Sequence, residues 1–190
     1  MVVVVIIGIL ATIAVPLFAE QMRVRRGQET AQRIAEIYRS ARTRALGRGA
    51  AVMVSTTGTN FSMLEGVEST AGSTAAGRTG CGNLPTRGCT TNDWGNLGSG
   101  ASIGTARRIT QTPAITSSTT LTGSKAGTAF TTLHVCFSPS GRAFVNTTGT
   151  WTPNSWQQLT DVVTFKVTQS ASQRFWDVLV LPNGTARIGL

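Results

Sequence analysis

The chain is poor in charge and poorest in acid. Of its 190 residues 13% are charged, with eight Asp and Glu against 17 Lys and Arg, and it holds one histidine, one tyrosine and three cysteines. Each scarcity removes a chemistry. Eight scattered carboxylates leave few candidates for paired-carboxylate catalysis or a carboxylate-built metal site. Asp161 and Asp177, for example, stand 16 positions apart with nothing to join them. The one histidine, His134, alternates with Val135 in a strand-like run and reads as a surface or satisfied residue, not as a general base. There is no Cys-x-x-Cys pair to suggest a metal site. Ser138 and Ser140 lack the setting of a nucleophile elbow, and GSKAGT (123–128) lacks the spacing of a phosphate-cradling loop. The sequence therefore reads as a non-enzyme without metal or cofactor.

What the chain does have is an uncharged start, MVVVVIIGILATIAVPLFA (1–19). As a helix it rises about 1.5 Å per residue, close to the roughly 30 Å thickness of a bilayer's hydrocarbon core. Three readings compete for it. A cleaved secretory signal lacks its basic n-region and its small-residue cleavage site. A plain anchor would, by Arg23, Arg25 and Arg26, keep the rest of the chain in the cytoplasm. The third is a helix that is stored in a membrane and later packs against copies of itself. Gly8, Ala11, Thr12 and Ala14 allow close helix approach, and Pro16 removes one backbone hydrogen bond. With Val5, residues Gly8, Ala11, Thr12 and Pro16 are the candidate packing and membrane positions.

The helical pattern then continues without a linker. Ala31, Ile34, Ala35, Tyr38, Ala41 and Ala45 recur at three- and four-residue spacing, which predicts one apolar stripe to about Leu46 and a stop at Gly47 and Gly49. Eight Arg against Glu20, Glu29 and Glu36 place five of the nine net positive charges on residues 20–48. A solvated or headgroup-facing stripe explains them, as does attraction to nucleic acid.

Beyond Gly49 the period changes to two. AAVMVS (50–55) and NFSMLEGV (60–67) predict a hairpin. Residues 68–105 form a long Gly/Ser/Thr/Asn loop with an isolated Trp94. Strands follow at 107–112, near Ile115 and Leu121, and at 129–137, 141–146, 162–168, 175–181 and 185–190. FSPSGRAF and LPNGTARI read as tight turns between them. One helix followed by many strands predicts an α+β domain with antiparallel sheet, divided as 1–19, 20–48 and 49–190. Cys81 and Cys89, close together in GCGNLPTRGC, are expected to form a disulfide in an oxidising compartment. Cys136, in the apolar LHVCF, is expected to stay free as a small buried hydrophobe.

The run 2–18 resembles the N-terminal helix of type IV pilins and type II secretion pseudopilins, with Pro16 where that family has its helix-breaking proline. The chain starts just inside the family's class-III signal. The cleavage glycine, the N-methylated phenylalanine and the following glutamate are expected upstream, behind a start codon placed too late or a trimmed sequence. FSPSGRAF and LVLPNGTARIGL are similar to turns of the GspH/FimT/FimU group of minor pilins and pseudopilins.

The resemblance implies a long helix on two antiparallel sheets, anchored in the inner membrane with the sheets in the periplasm. It implies other major and minor pilins or pseudopilins, an assembly platform and prepilin peptidase as partners, and a role in starting or capping a pilus or pseudopilus near its tip. Some members of the group capture DNA. The corresponding candidates are Arg107, Arg108, Arg142, Arg174 and Arg187, with Trp151, Trp156 or Trp176 for stacking.

Overall fold

The computed structural model describes residues 2–67, 88–90, 94–95, 106–112, 119–130, 132–170 and 173–189; at 2, 4–17, 111, 112, 119 and 153 it describes the backbone alone. One helix, α1, runs unbroken from Val2 to Arg48, about 70 Å at the α-helical rise. It continues through Gly47 and stops at Gly49, whose φ of 65° is the left-handed turn that glycine takes most readily. The predicted stripe is the buried face: Ala31, Ile34, Ala35, Tyr38, Ala41 and Ala45 are all at most 2% exposed.

Eleven strands are described. β1 (Val52–Thr57), β2 (Asn60–Gly66), β3 (Ala106–Thr112), β6 (Thr132–Phe137), β7 (Ala143–Asn146) and β8 (Gln157–Gln158) form a six-stranded sheet in the order β3-β2-β1-β6-β7-β8. β4 (Thr119–Lys125), β5 (Thr128–Phe130), β9 (Val163–Gln169), β10 (Phe175–Val180) and β11 (Ala186–Gly189) form a second sheet in the order β11-β10-β9-β4-β5. Every described pairing is antiparallel. The architecture is thus α+β, a long helix on two antiparallel sheets, as expected.

Two details depart from expectation. Residues 129–137, read as one strand, belong to two: β5 lies at the edge of the five-stranded sheet and β6 in the middle of the other. A continuous β-forming run carries no mark of the point where the chain changes sheets. β8, two glutamines paired with β7, has no hydrophobic pattern to announce it. The expected piece near Ile115 lies outside the described residues.

The helix stripe and the inner faces of both sheets share one core. Tyr38 joins them. Its ring stacks on Phe165 of β9 at 5.4 Å and meets Phe61 and Phe137 edge-on at 6.5 and 6.4 Å. Its hydroxyl lies 3.2 Å from the Thr56 hydroxyl. Burial raises the phenol's pKa, and the Thr56 hydrogen bond offsets part of that rise.

Gly27 sets the first close approach of helix to sheet. A Cβ built there falls 2.3 Å from the ring of Trp176 on β10. Gly27→Ala gains roughly 1 kcal/mol of helix propensity, but overpacking costs about 1–3 kcal/mol. The expected result is a lower melting temperature and altered tryptophan emission as the Trp176 ring is displaced. An unchanged emission spectrum would show that the ring does not meet residue 27.

The outer face of the six-stranded sheet carries a second core, in which Met53, Leu64 and Cys136 pack with Cys89, Trp94 and Trp156. Here the cysteine expectation is corrected: Cys89 is bonded to Cys136, with Cα atoms 5.8 Å apart and a sequence separation of 47. Cys136 is buried as expected, but it is not free. On β6, Leu133, Val135 and Phe137 face the helix, and alternation sends Cys136 to the opposite face. Short sequence separation favoured Cys81, which lies outside the described residues. Tertiary packing selected Cys136. Trp94, read as isolated, is 1% exposed and donates its indole N–H to the Cys89 carbonyl at 3.0 Å.

Candidate functional site

The helix divides where the domain begins. From Gly27 onward its stripe is covered, whereas Phe18 and Met22 are 69% and 52% exposed. The backbone at Val5, Gly8, Ala11, Thr12 and Pro16 is α-helical, and the side chains of these five lie outside the described ones. No helix among the described residues is long and apolar enough to cross a membrane.

The five candidate DNA-contacting arginines do not form one patch. All are exposed, but they sit at opposite ends of the domain. Arg107 approaches Glu65 at 3.6 Å beside Arg44 and Arg48, and Arg142 lies in the β6–β7 turn next to Gly141, which faces Leu46. Both therefore stand where the helix stops. Arg174, just before β10, instead shares a cleft with Arg25. From Arg25 to Arg48 the helix rises about 35 Å. Arg187 is on β11, at the edge of the five-stranded sheet. Of the stacking candidates, Trp156 is 6% exposed and belongs to the second core, Trp151 packs on it, and Trp176 lies against Gly27.

Sequence reading missed Glu65. It is 1% exposed on β2 and is enclosed by cations. Arg44 Nη2 and Nε donate to Oε2 at 2.8 and 3.1 Å. Arg48 Nε lies 2.7 Å from Oε1 as an ion pair, without the alignment of a hydrogen bond. A bulge opposite Met63 and Leu64 shifts the β3 register and pairs Arg107 with Glu65. The sequence did contain a signal: one rare acidic residue inside an apolar strand, and two arginines four apart in the last helical turns.

His134 is also inside, 3% exposed, with its ring 4.7 Å from that of Trp151 and no hydrogen-bond partner at Nδ1. Burial pushes its pKa down to about 4. The neutral form is thus the one the fold accepts. As pH falls below about 6.5 the unfolded chain takes up a proton that the folded chain refuses, so stability drops toward pH 4. Wild type should lose about 2 kcal/mol more than His134→Gln between about pH 7 and about pH 5. Parallel slopes for the two proteins would refute this.

The remaining polar groups do structural work. Ser138 Oγ donates to the Arg142 carbonyl and meets Ser140 Oγ, closing the β6–β7 turn. Asn183 Oδ1 accepts from the Thr185 amide and hydroxyl in the β10–β11 turn. Among the described residues, no three of His, Cys, Asp and Glu come together in a way that could hold a metal ion.

No protein-family model matches the chain, and no curated protein matches it. Among solved structures it is similar to the Pseudomonas aeruginosa type IV minor pilin FimU. One crystal form gives a TM-score of 0.47 at 11% identity, covering 86% of this chain and 87% of that one. A second gives 0.44 at 13% identity, covering 86% and 92%.

Proposed function

We propose that the protein is a minor pilin, a low-abundance structural subunit that packs by its N-terminal helix into a type IV pilus or a related pseudopilus. The observation that carries this reading is the single helix Val2–Arg48, whose second half is cemented to two sheets and whose first half begins with an uncharged run. In this reading the run resides in the inner membrane, with the sheet domain in the periplasm. Extraction then exchanges lipid contact for contact with neighbouring helices, so the apolar surface never meets water. Prepilin peptidase and an assembly platform belong to the same reading.

The test is incorporation. Full-length protein expressed in pilus-forming cells should be recovered in sheared filaments. Gly8→Leu and Ala11→Leu should leave its membrane level unchanged but deplete it from filaments several-fold. Equal incorporation of these variants would defeat the packing reading.

A second reading, capture of DNA at a filament tip, draws on the cations where the helix stops. Glu65 already engages three of them, and Arg174 lies at the other end. DNA binding by the full chain that weakens steeply with salt would favour this reading; absence of binding at low salt would remove it.

A further inference from the structure

The β9–β10 end of the five-stranded sheet is built differently from the rest of the surface. Arg174 and Arg25 come from separate elements and line one cleft of about 470 Å³ with Glu20, Gln21 and Val24. Next to Arg174, Phe175 is 54% exposed, and the Lys166 ammonium sits 4.3 Å from its ring centroid. Arg23 and Arg26 are exposed on the adjoining turn of the helix. Five cations and an exposed aromatic thus surround the point where the helix leaves the domain; the acids there are Glu20, which lines the cleft, and Asp177, directly opposite Lys166 across the β9–β10 ladder.

We infer that this end is a seat for the phosphate of anionic phospholipid headgroups, holding the sheet domain against the bilayer surface before assembly. The inference rests on the membrane-anchor reading above and extends it to residues of the sheet domain. Distance along the helix supports it. Phe18 and Ala19 close the uncharged run, and Arg25 follows about 10 Å further along the axis. A headgroup layer is about 5–8 Å deep on each side of the hydrocarbon. The Arg25 backbone therefore stands about 2–5 Å outside the headgroup layer, a gap that its long side chain spans, and Arg174 is level with Arg25.

Close packing of Trp176 on Gly27 fixes that level, because the sheet cannot slide along the helix without driving the ring into the backbone. Charge supports the inference too, since each Lys or Arg near an anionic surface contributes about 1 kcal/mol. Phe175 supplies the aromatic contact that suits the interface between hydrocarbon and water.

The experiment uses the full chain in nanodiscs of phosphatidylcholine alone or mixed with phosphatidylglycerol. Backbone hydrogen exchange is followed in the peptide that starts at Phe175. The anionic lipid should slow exchange there several-fold, high salt should cancel the effect, and Arg174→Gln or Phe175→Ala should abolish it without lowering the melting temperature. Equal exchange in both lipids, or protection that survives Arg174→Gln, overturns the seat but leaves the anchor standing. A chain that does not enter nanodiscs overturns both. The same peptide is measured in detergent with inorganic phosphate; protection there without lipid assigns the site to a free anion and overturns the lipid seat.

Discussion

Reducing the Cys89–Cys136 bond, or replacing Cys136 with serine, lowers the stability of the domain by about 4 kcal/mol. That is the loop-closure value for a crosslink spanning 47 residues. The closed loop holds β3, β4 and β5, so the bond gathers strands of both sheets into one covalent ring. The effect reaches beyond chain entropy, because Trp94 packs beside the bond and donates to the Cys89 carbonyl. Its emission should shift to the red in the same variant. Denaturant titration with and without reductant measures the loss. Cys81→Ser should leave both the midpoint and its reductant dependence as in wild type. A Cys81→Ser protein that loses its reductant sensitivity would instead restore the short Cys81–Cys89 ring.

A change at Glu65 should be comparably severe. Glu65→Ala is expected to cost about 3–5 kcal/mol, the range for breaking a buried pair and leaving charge uncompensated. Three guanidiniums would then face one another across the vacated position. Arg107→Ala is a contrasting control. That side chain is 47% exposed and 3.6 Å away, and an exposed pair of this kind contributes about 0–1 kcal/mol. Similar losses from the two variants would mean that Glu65 is not the hub. Because Arg44 and Arg48 lie in the helix and Glu65 on β2, the Glu65→Ala loss should be accompanied by fraying of the last helical turns, visible as faster amide exchange near Arg48.

Local pattern made much of this fold legible. The six-residue stripe from Ala31 to Ala45 was readable because a helix buries residues at fixed spacing. The turns at 138–142 and 181–185 were readable because Pro, Asn and Gly restrict the backbone. What stayed hidden depends on contacts between distant segments. Nothing local distinguishes Cys81 from Cys136 as the partner of Cys89. Nothing in AFTTLHVCF marks a crossing between sheets. His134 looked like an ordinary strand residue because its burial comes from Trp151, 17 positions later. The candidate arginines lie apart for the same reason: a list of positive residues contains no distances, and the fold puts Arg107 where the helix stops and Arg174 beside Arg25.

The unbroken path of the helix from Val2 into the core has a mechanical consequence. With the helix continuous between the two halves, a force drawn along the axis reaches the domain directly. It loads the interlocked contacts at Gly27, Tyr38 and the Glu65 cluster in shear and all together, where a sideways force would peel them apart one at a time. The fold is suited to bear a lengthwise pull without coming undone.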